Sequence, residues 1–245
     1  VNIAKFRYPD NEKTVLENIK FTLGQGKTLG IVGKTGAGKT SLLKLLLREF
    51  EGYDGEIRIG GKEITEYRLN ALRKAFGYVP QEHFLFSASI KENIAFAKPD
   101  ATEEEIHFAA KIAAVHDDVL GFADGYDTVV GERGVSLSGG QKQRISIARA
   151  ILLNPEILIL DDSLSAVDAK TEETILASLK ENRQGKTTII TAHRLSAIQH
   201  ADLIIVLDEG RIAQQGVHET LMKEDGWYKD MYLHQQLEAL VEHGG

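Results

Sequence analysis

Followed from the first residue, the apolar positions of the chain predict short strands alternating with helices. Val1–Tyr8 and Ile19–Leu23 alternate apolar and polar side chains, the period of a half-buried strand. Thr28–Val32 (TLGIV) is a short continuous apolar run that stops at a glycine-rich turn, and from Lys39 onward SLLKLLLREF is apolar at helical spacing. Glu56–Ile59 and Phe76–Val79 predict further strands, the second ended by Pro80. From Thr102 to about Leu153 the character turns helical. TEEEIHFAAKIAAV opens on a capping-box pattern, Thr102 with Glu105, and QKQRISIARAILL is a second helical stretch. After Pro155 strands return as Ile157–Leu160, Thr187–Thr191 and Leu203–Leu207, and Asp225 onward predicts a final helix carrying Trp227 and Tyr228. Strands that are apolar on both faces need helices on both sides of a mainly parallel sheet. The pattern therefore predicts an α/β fold. Residues 1–81 and 155–245 form its core, β-rich at the N-terminal end, and residues 82–154 form an inserted helical subdomain.

Composition narrows this picture only slightly. The 245 residues are 42% hydrophobic and 27% charged, the balance of a globular protein rather than a disordered chain. A formal net charge of −7 argues against a surface built to neutralise nucleic-acid phosphates, so no nucleic-acid partner is expected. With no cysteine, disulfides and thiolate metal sites are excluded. No apolar run approaches the roughly 18 to 20 residues that cross a bilayer. The sequence opens at Val1 inside a strand, without an initiator Met, and is expected to be part of a longer polypeptide.

The chemistry begins at the turn after TLGIV. Gly33, Lys34, Thr35, Gly36, Ala37, Gly38, Lys39, Thr40 and Ser41 fit the pattern G-x-x-x-x-G-K-[ST], placed after a buried strand and before a helix. Glycines let the backbone curl so that successive N–H groups face one centre, and the helix N-terminus adds a positive dipole end. Lys39 can reach the β- and γ-phosphates of a nucleoside triphosphate, and the Thr40 hydroxyl can ligate Mg²⁺. Alone, this motif is shared by kinases, GTPases and DNA motors. Farther along, Leu137-Ser138-Gly139-Gly140-Gln141 puts a hydroxyl and two glycines at the mouth of another helix, a second potential anion site. Taken alone, an ordinary serine cap with a glycine turn is the better explanation.

The P-loop, LSGGQ and ILILDD, in this order and spacing, resemble the nucleotide-binding domain of an ABC (ATP-binding cassette) transporter across essentially the whole chain. The resemblance implies an ATPase using ATP and Mg²⁺, and head-to-tail pairing with a second nucleotide-binding domain. Ser138, Gly139, Gly140 and Gln141 would then serve the partner's nucleotide. Position by position, it implies that Tyr8 stacks on adenine, a contact of about 1–3 kcal/mol by analogy with base stacking. It makes Gln81 a Mg²⁺ sensor and Asp161 a Mg²⁺ partner through water. Ser165–Asp168 matches the loop crossing the dimer interface, and His193 the switch histidine at the γ-phosphate. The segments Gln81–Ile94 and Glu132–Arg133 look like exporter versions of the contacts to transmembrane domains, which implies a site at the cytoplasmic face of a membrane. A regulatory ATP-binding module outside any transporter is the alternative from another class.

One position departs from the family pattern. Asp162 follows Asp161 where hydrolytically competent members carry glutamate. The shorter side chain retracts the carboxylate by about 1.5 Å, one carbon–carbon bond. A misplacement of about 1 Å can cost about 10²-fold in rate, equivalent to about 2.7 kcal/mol of barrier. The sequence thus resembles the degenerate half of a heterodimeric exporter, whose own site binds ATP but turns it over slowly while its intact LSGGQ completes a partner's site. A homodimer tolerant of Asp162 remains open.

Overall fold

The computed structural model describes residues 1–132 and 134–243. Along the chain the strands are β1 (Asn2–Phe6), β2 (Leu16–Lys20), β3 (Thr28–Gly33), β4 (Asp54–Glu56), β5 (Arg58–Ile59), β6 (Lys62–Glu63), β7 (Phe76–Val79), β8 (Ile157–Asp161), β9 (Thr187–Thr191), β10 (Leu203–Asp208) and β11 (Arg211–Gly216). The helices are α1 (Lys39–Leu46), α2 (Leu69–Ala75), α3 (Ile90–Ile94), α4 (Glu103–Ile112), α5 (His116–Leu120), α6 (Gly139–Leu152), α7 (Ala169–Asn182), α8 (His218–Leu221) and α9 (Trp227–His243). The fold is of α/β class, and the chain divides into two compact units, Val1–Phe76 with Ile189–Gly245, and Gly77–Thr188.

In the first unit, β1 lies between β2 and β4 in an antiparallel sheet. Ile3, Phe6, Leu16 and Ile19 form its buried face, each at most 1% exposed. The second strand is shifted from the expected Ile19–Leu23 to Leu16–Lys20, which pairs with β1 from Phe6↔Leu16 to Asn2↔Lys20, and Val1 and Phe21 exchange one more pair of backbone bonds beyond it. The expected strand Glu56–Ile59 is split in two. Its first residue, Glu56, ends β4 and pairs with Asn2 of β1, its last two pair with β6, and the fully buried Ile57 lies between them. In the other sheet of this unit β10 runs parallel to β3, in register from Leu203↔Leu29 to Leu207↔Gly33, with β11 antiparallel at its side. Leu29, Ile31, Ile204 and Ile205 are fully buried, each contributing about 1.5–3 kcal/mol of transfer free energy. Helix α9 is pinned by Tyr228, which is fully buried and whose hydroxyl meets His218 Nδ1 at 2.8 Å. Burial pushes the Tyr228 phenol well above its ordinary range, so it keeps its proton.

In the second unit β7 and β8 are sheet neighbours, and α6 packs on both α3 and α4. Each of these helices begins on a hydroxyl cap. Ser89, Thr102 and Ser138 each accept the N–H of the residue three positions on, whose side chain returns a bond to the cap backbone. The Thr102–Glu105 box is the one expected from the sequence. Among the described residues no helix is long and apolar enough to cross a membrane.

Candidate functional site

The residues marked by the sequence fall into both units. In the first, the strand β3 ends at Gly33 and the helix α1 starts at Lys39, with the loop between them closed on itself. Ala37 donates to the Lys34 carbonyl at 3.0 Å, and Gly210 donates to the Ala37 carbonyl at 2.9 Å. Lys39 Nζ donates to the carbonyls of Gly33 at 2.6 Å and Lys34 at 3.1 Å, so the ammonium lies inside the curl of the loop. Gly33 has no substitute here. Its φ is 153°, and a Cβ would fall 2.2 Å from the Leu207 carbonyl oxygen on the paired strand. The helix cap is Gly38, also in the left-handed region, so no side chain occupies the mouth of α1. From α1 to α7, helices α1, α2 and α6 carry no acidic residue in the first turn, whereas α3, α4, α5 and α7 each do. No side chain of their own first turns therefore offsets the positive dipole ends of α1 and α6, which favours an anion there. Thr40 is exposed in the first turn of α1, as are Lys34, Thr35 and Gly36 in the loop.

Tyr8 is linked to this loop directly. Its hydroxyl meets Ser41 Oγ at 2.7 Å, and its ring stands edge-on to Phe6 and Phe50 at 5.1 and 4.9 Å. His193 follows β9 on the exposed side, one residue after Ala192, whose N–H donates to the Ile31 carbonyl of β3. Sequence reasoning missed Gln235 of α9. Its amide donates to the His193 carbonyl at 2.8 Å and accepts the Leu195 N–H at 2.9 Å, which clamps this turn. Nothing in the polar pattern of α9 marks that position.

In the second unit the ends of the neighbouring strands β7 and β8 gather polar groups. Asp161 is 6% exposed and its Oδ2 accepts the Tyr78 hydroxyl at 2.9 Å. Gln81 Nε2 donates to Asp162 Oδ2 at 3.3 Å. Asp162 sits at φ 46°, a left-handed conformation that aspartate tolerates better than most residues. Tyr78 is another residue that spacing did not single out.

The turn Ser138–Gln141 is also built in this unit. Ser138 Oγ accepts the Gln141 N–H at 3.1 Å, and Gln141 Oε1 accepts the Ser138 N–H at 3.0 Å. The serine is therefore a genuine cap, and its hydroxyl proton is still available to donate. Gln141 Nε2 and Arg144 both donate to Asp118 Oδ2, at 3.2 and 2.9 Å. Upstream, Asn93 is fully buried and folds the segment Phe84–Ser89 around its amide, while Phe84 stays 65% exposed. Glu132 is exposed, and Arg133 lies outside the described residues.

Comparison with known proteins gives a consistent result. A family model described as ABC transporter matches residues 16–165. The chain is 53% identical over 242 residues to the probable multidrug resistance ABC transporter ATP-binding/permease protein YheI of Bacillus subtilis. It is equally similar, 53% over 242 residues, to the multidrug resistance-like ATP-binding protein MdlA of Escherichia coli. In both comparisons 99% of this chain is covered, but the chain spans only 41% of the length of these relatives. Among solved structures, a bacterial Atm1-family ABC exporter with ATP bound superposes with a TM-score of 0.91 at 42% identity, covering 96% of this chain and 41% of that one.

Proposed function

Since the chain belongs to the ABC transporter family, we propose that it is the ATP-binding and ATP-hydrolysing motor domain of a membrane exporter, working at the cytoplasmic face. The observation that carries this reading is the closed loop Gly33–Ser41, with Lys39 turned into its curl and no acidic residue in the first turn of α1. Backbone N–H groups and a lysine held in that geometry suit a triphosphate, and phosphoryl transfer needs mainly positioning and charge stabilisation. Tyr8 supplies the adenine face, its ring held by Ser41 and two phenylalanines. His193 acts at the γ-phosphate.

Mg²⁺ fits the donors on offer, because a hydroxyl, a carboxylate and a side-chain amide are the hard oxygen ligands it prefers. Thr40, Gln81 and Asp161 are the residues that would hold it, and the ion would offset the charge of the triphosphate. Two such domains pair head to tail on ATP, with Ser138, Gly139, Gly140 and Gln141 serving the partner's nucleotide. The partner is a different chain carrying the catalytic glutamate. Asp162, short by one methylene and tied to Gln81, leaves this chain's own site poor in hydrolysis. Residues 82–154 form the helical signature subdomain, and the segments Gln81–Ile94 and Glu132–Arg133 meet the transmembrane domains. Relatives named as joint ATP-binding/permease proteins favour this reading over a free-standing regulatory module.

The test is Mg-ATP binding by wild type and by Lys39→Ala. Loss of a charge-assisted phosphate contact, about 1.5–3 kcal/mol, should weaken affinity by about 10- to 100-fold. Equal affinities would refute the P-loop assignment.

A further inference from the structure

We propose that Gln143 is a positioning residue that locks the Ser138–Gln141 turn to the Ser165–Asp168 loop, so that the two segments move as one piece. The inference rests on the head-to-tail reading, which gives both segments a place at the partner domain. Gln143 lies one turn into α6 and is only 2% exposed, yet both ends of its amide are engaged. Nε2 donates to Ser165 Oγ at 3.0 Å, and Oε1 accepts the Ala166 N–H at 2.8 Å. The loop it holds is exposed at Ser165 and Ala166, so a buried side chain governs a surface segment.

The first turn of α6 closes against the same residue. A Cβ on Gly140 would sit 2.9 Å from the Ala166 carbonyl oxygen, so only glycine permits the backbone this close. The far end of the loop is fixed independently, by Asp168 capping α7 through the Thr171 N–H at 3.0 Å. The loop thus has one anchor on α7 and one on Gln143. The second is the one that reports the position of Ser138. A shift of the signature turn toward a partner's γ-phosphate cannot occur without drawing Ala166 along, because an unpaired buried amide would otherwise result. Gln143 acts through these two segments and touches no nucleotide itself.

The experiment uses the complete exporter with its partner and follows ATPase activity against ATP concentration. Ser165→Ala should lower kcat about threefold and Gln143→Leu about tenfold, each with KM held within about twofold, as expected when a transition-state donor is misplaced by a fraction of an ångström. The double variant should be no slower than Gln143→Leu alone, because both changes break one link. Ser165→Thr returns the hydroxyl and should restore wild-type kcat, a rescue that general loosening of the loop would not give. Should Gln143→Leu fail to fold, the Ser165→Ala and Ser165→Thr pair decides alone, since that residue is exposed. Additive losses, or loss without rescue by threonine, overturn the proposal. Ser138→Ala in the same assay separates the two levels. If it leaves turnover intact, the head-to-tail reading fails; if it abolishes turnover while the Ser165 pair is silent, only the Gln143 link fails.

Discussion

Replacing Asn93 with alanine should unfold the second unit more easily and disturb the segment that carries Phe84. The Asn93 side chain is fully buried and makes four bonds to the segment before it, the longest to the Ala88 carbonyl at 3.5 Å. Its Oδ1 accepts the Phe86 N–H at 2.8 Å, and its Nδ2 donates to the carbonyls of Phe86 and Ser89, both at 3.0 Å. Arg149 adds a bond to the same Oδ1 at 3.2 Å while holding the Asn93 and Phe84 carbonyls. Each bond is worth about 0.5–1.5 kcal/mol net, and an orphaned buried group costs about 1–3 kcal/mol. Phe86 is only half-buried, so water recovers part of the loss. The total expected is about 2–4 kcal/mol, the range of a buried polar network broken on one side. Urea unfolding followed by circular dichroism measures it, with the slope unchanged if the denatured state is unaffected. In the complete exporter the same variant should lose transport more than ATPase activity, because the stack of Phe86 on Phe96 at 4.2 Å depends on the folded segment. A stability loss below about 0.5 kcal/mol, the size of a neutral surface change, would refute the idea that this side chain shapes the loop.

Two further outcomes are expected. Gly33→Ala forces a Cβ to within 2.2 Å of the Leu207 carbonyl oxygen, so it should abolish Mg-ATP binding and lower stability by more than about 2 kcal/mol, read by calorimetry and thermal unfolding. Burial holds the His116 ring below its ordinary 6.5, and its Nδ1 meets the Tyr126 hydroxyl at 2.6 Å, a phenol that burial pushes up to about 12. The unfolded chain therefore takes up this proton first, and the fold keeps its full stability above 6.5 and loses it as the pH falls through the lower folded value. His116→Gln should flatten that part of the thermal-unfolding profile, and an unchanged profile would show that the ring contributes nothing.

The parts of this fold that were readable in advance are those governed by local pattern. The β3–loop–α1 unit, β7, β9 and the Thr102–Glu105 cap follow from apolar runs, glycines and cap chemistry over a few residues. What escaped was governed by partners distant in sequence. β11 carries Gln214 and Gln215 with half-buried rather than apolar inward positions, so its alternation is weak, and only pairing with β10 makes it a strand. α7 buries Ile175 and Leu179 but also Glu172, which blurs its apolar face. The shift of β2 and the splitting of Glu56–Ile59 follow their pairing with β1 and β6. At the site, Gly33–Ser41 declared itself, whereas Tyr78, Asn93, Gln143 and Gln235 did not. Each is an ordinary polar or aromatic residue whose role lies in a bond to a segment that no spacing rule connects to it.

The claim at the centre of this account is that the chain contributes its signature turn to a partner's working site while its own site is slow. One comparison tests it most directly, the steady-state ATPase rate of the complete exporter carrying Asp162→Asn against the same exporter carrying Ser138→Ala. Ser138→Ala is expected to remove most of the turnover, because a donor to the partner's γ-phosphate is lost, and Asp162→Asn to remove little. If Asp162→Asn eliminates turnover as completely as Ser138→Ala, Asp162 is a working base, and the assignment of a hydrolysis-poor site to this chain is wrong.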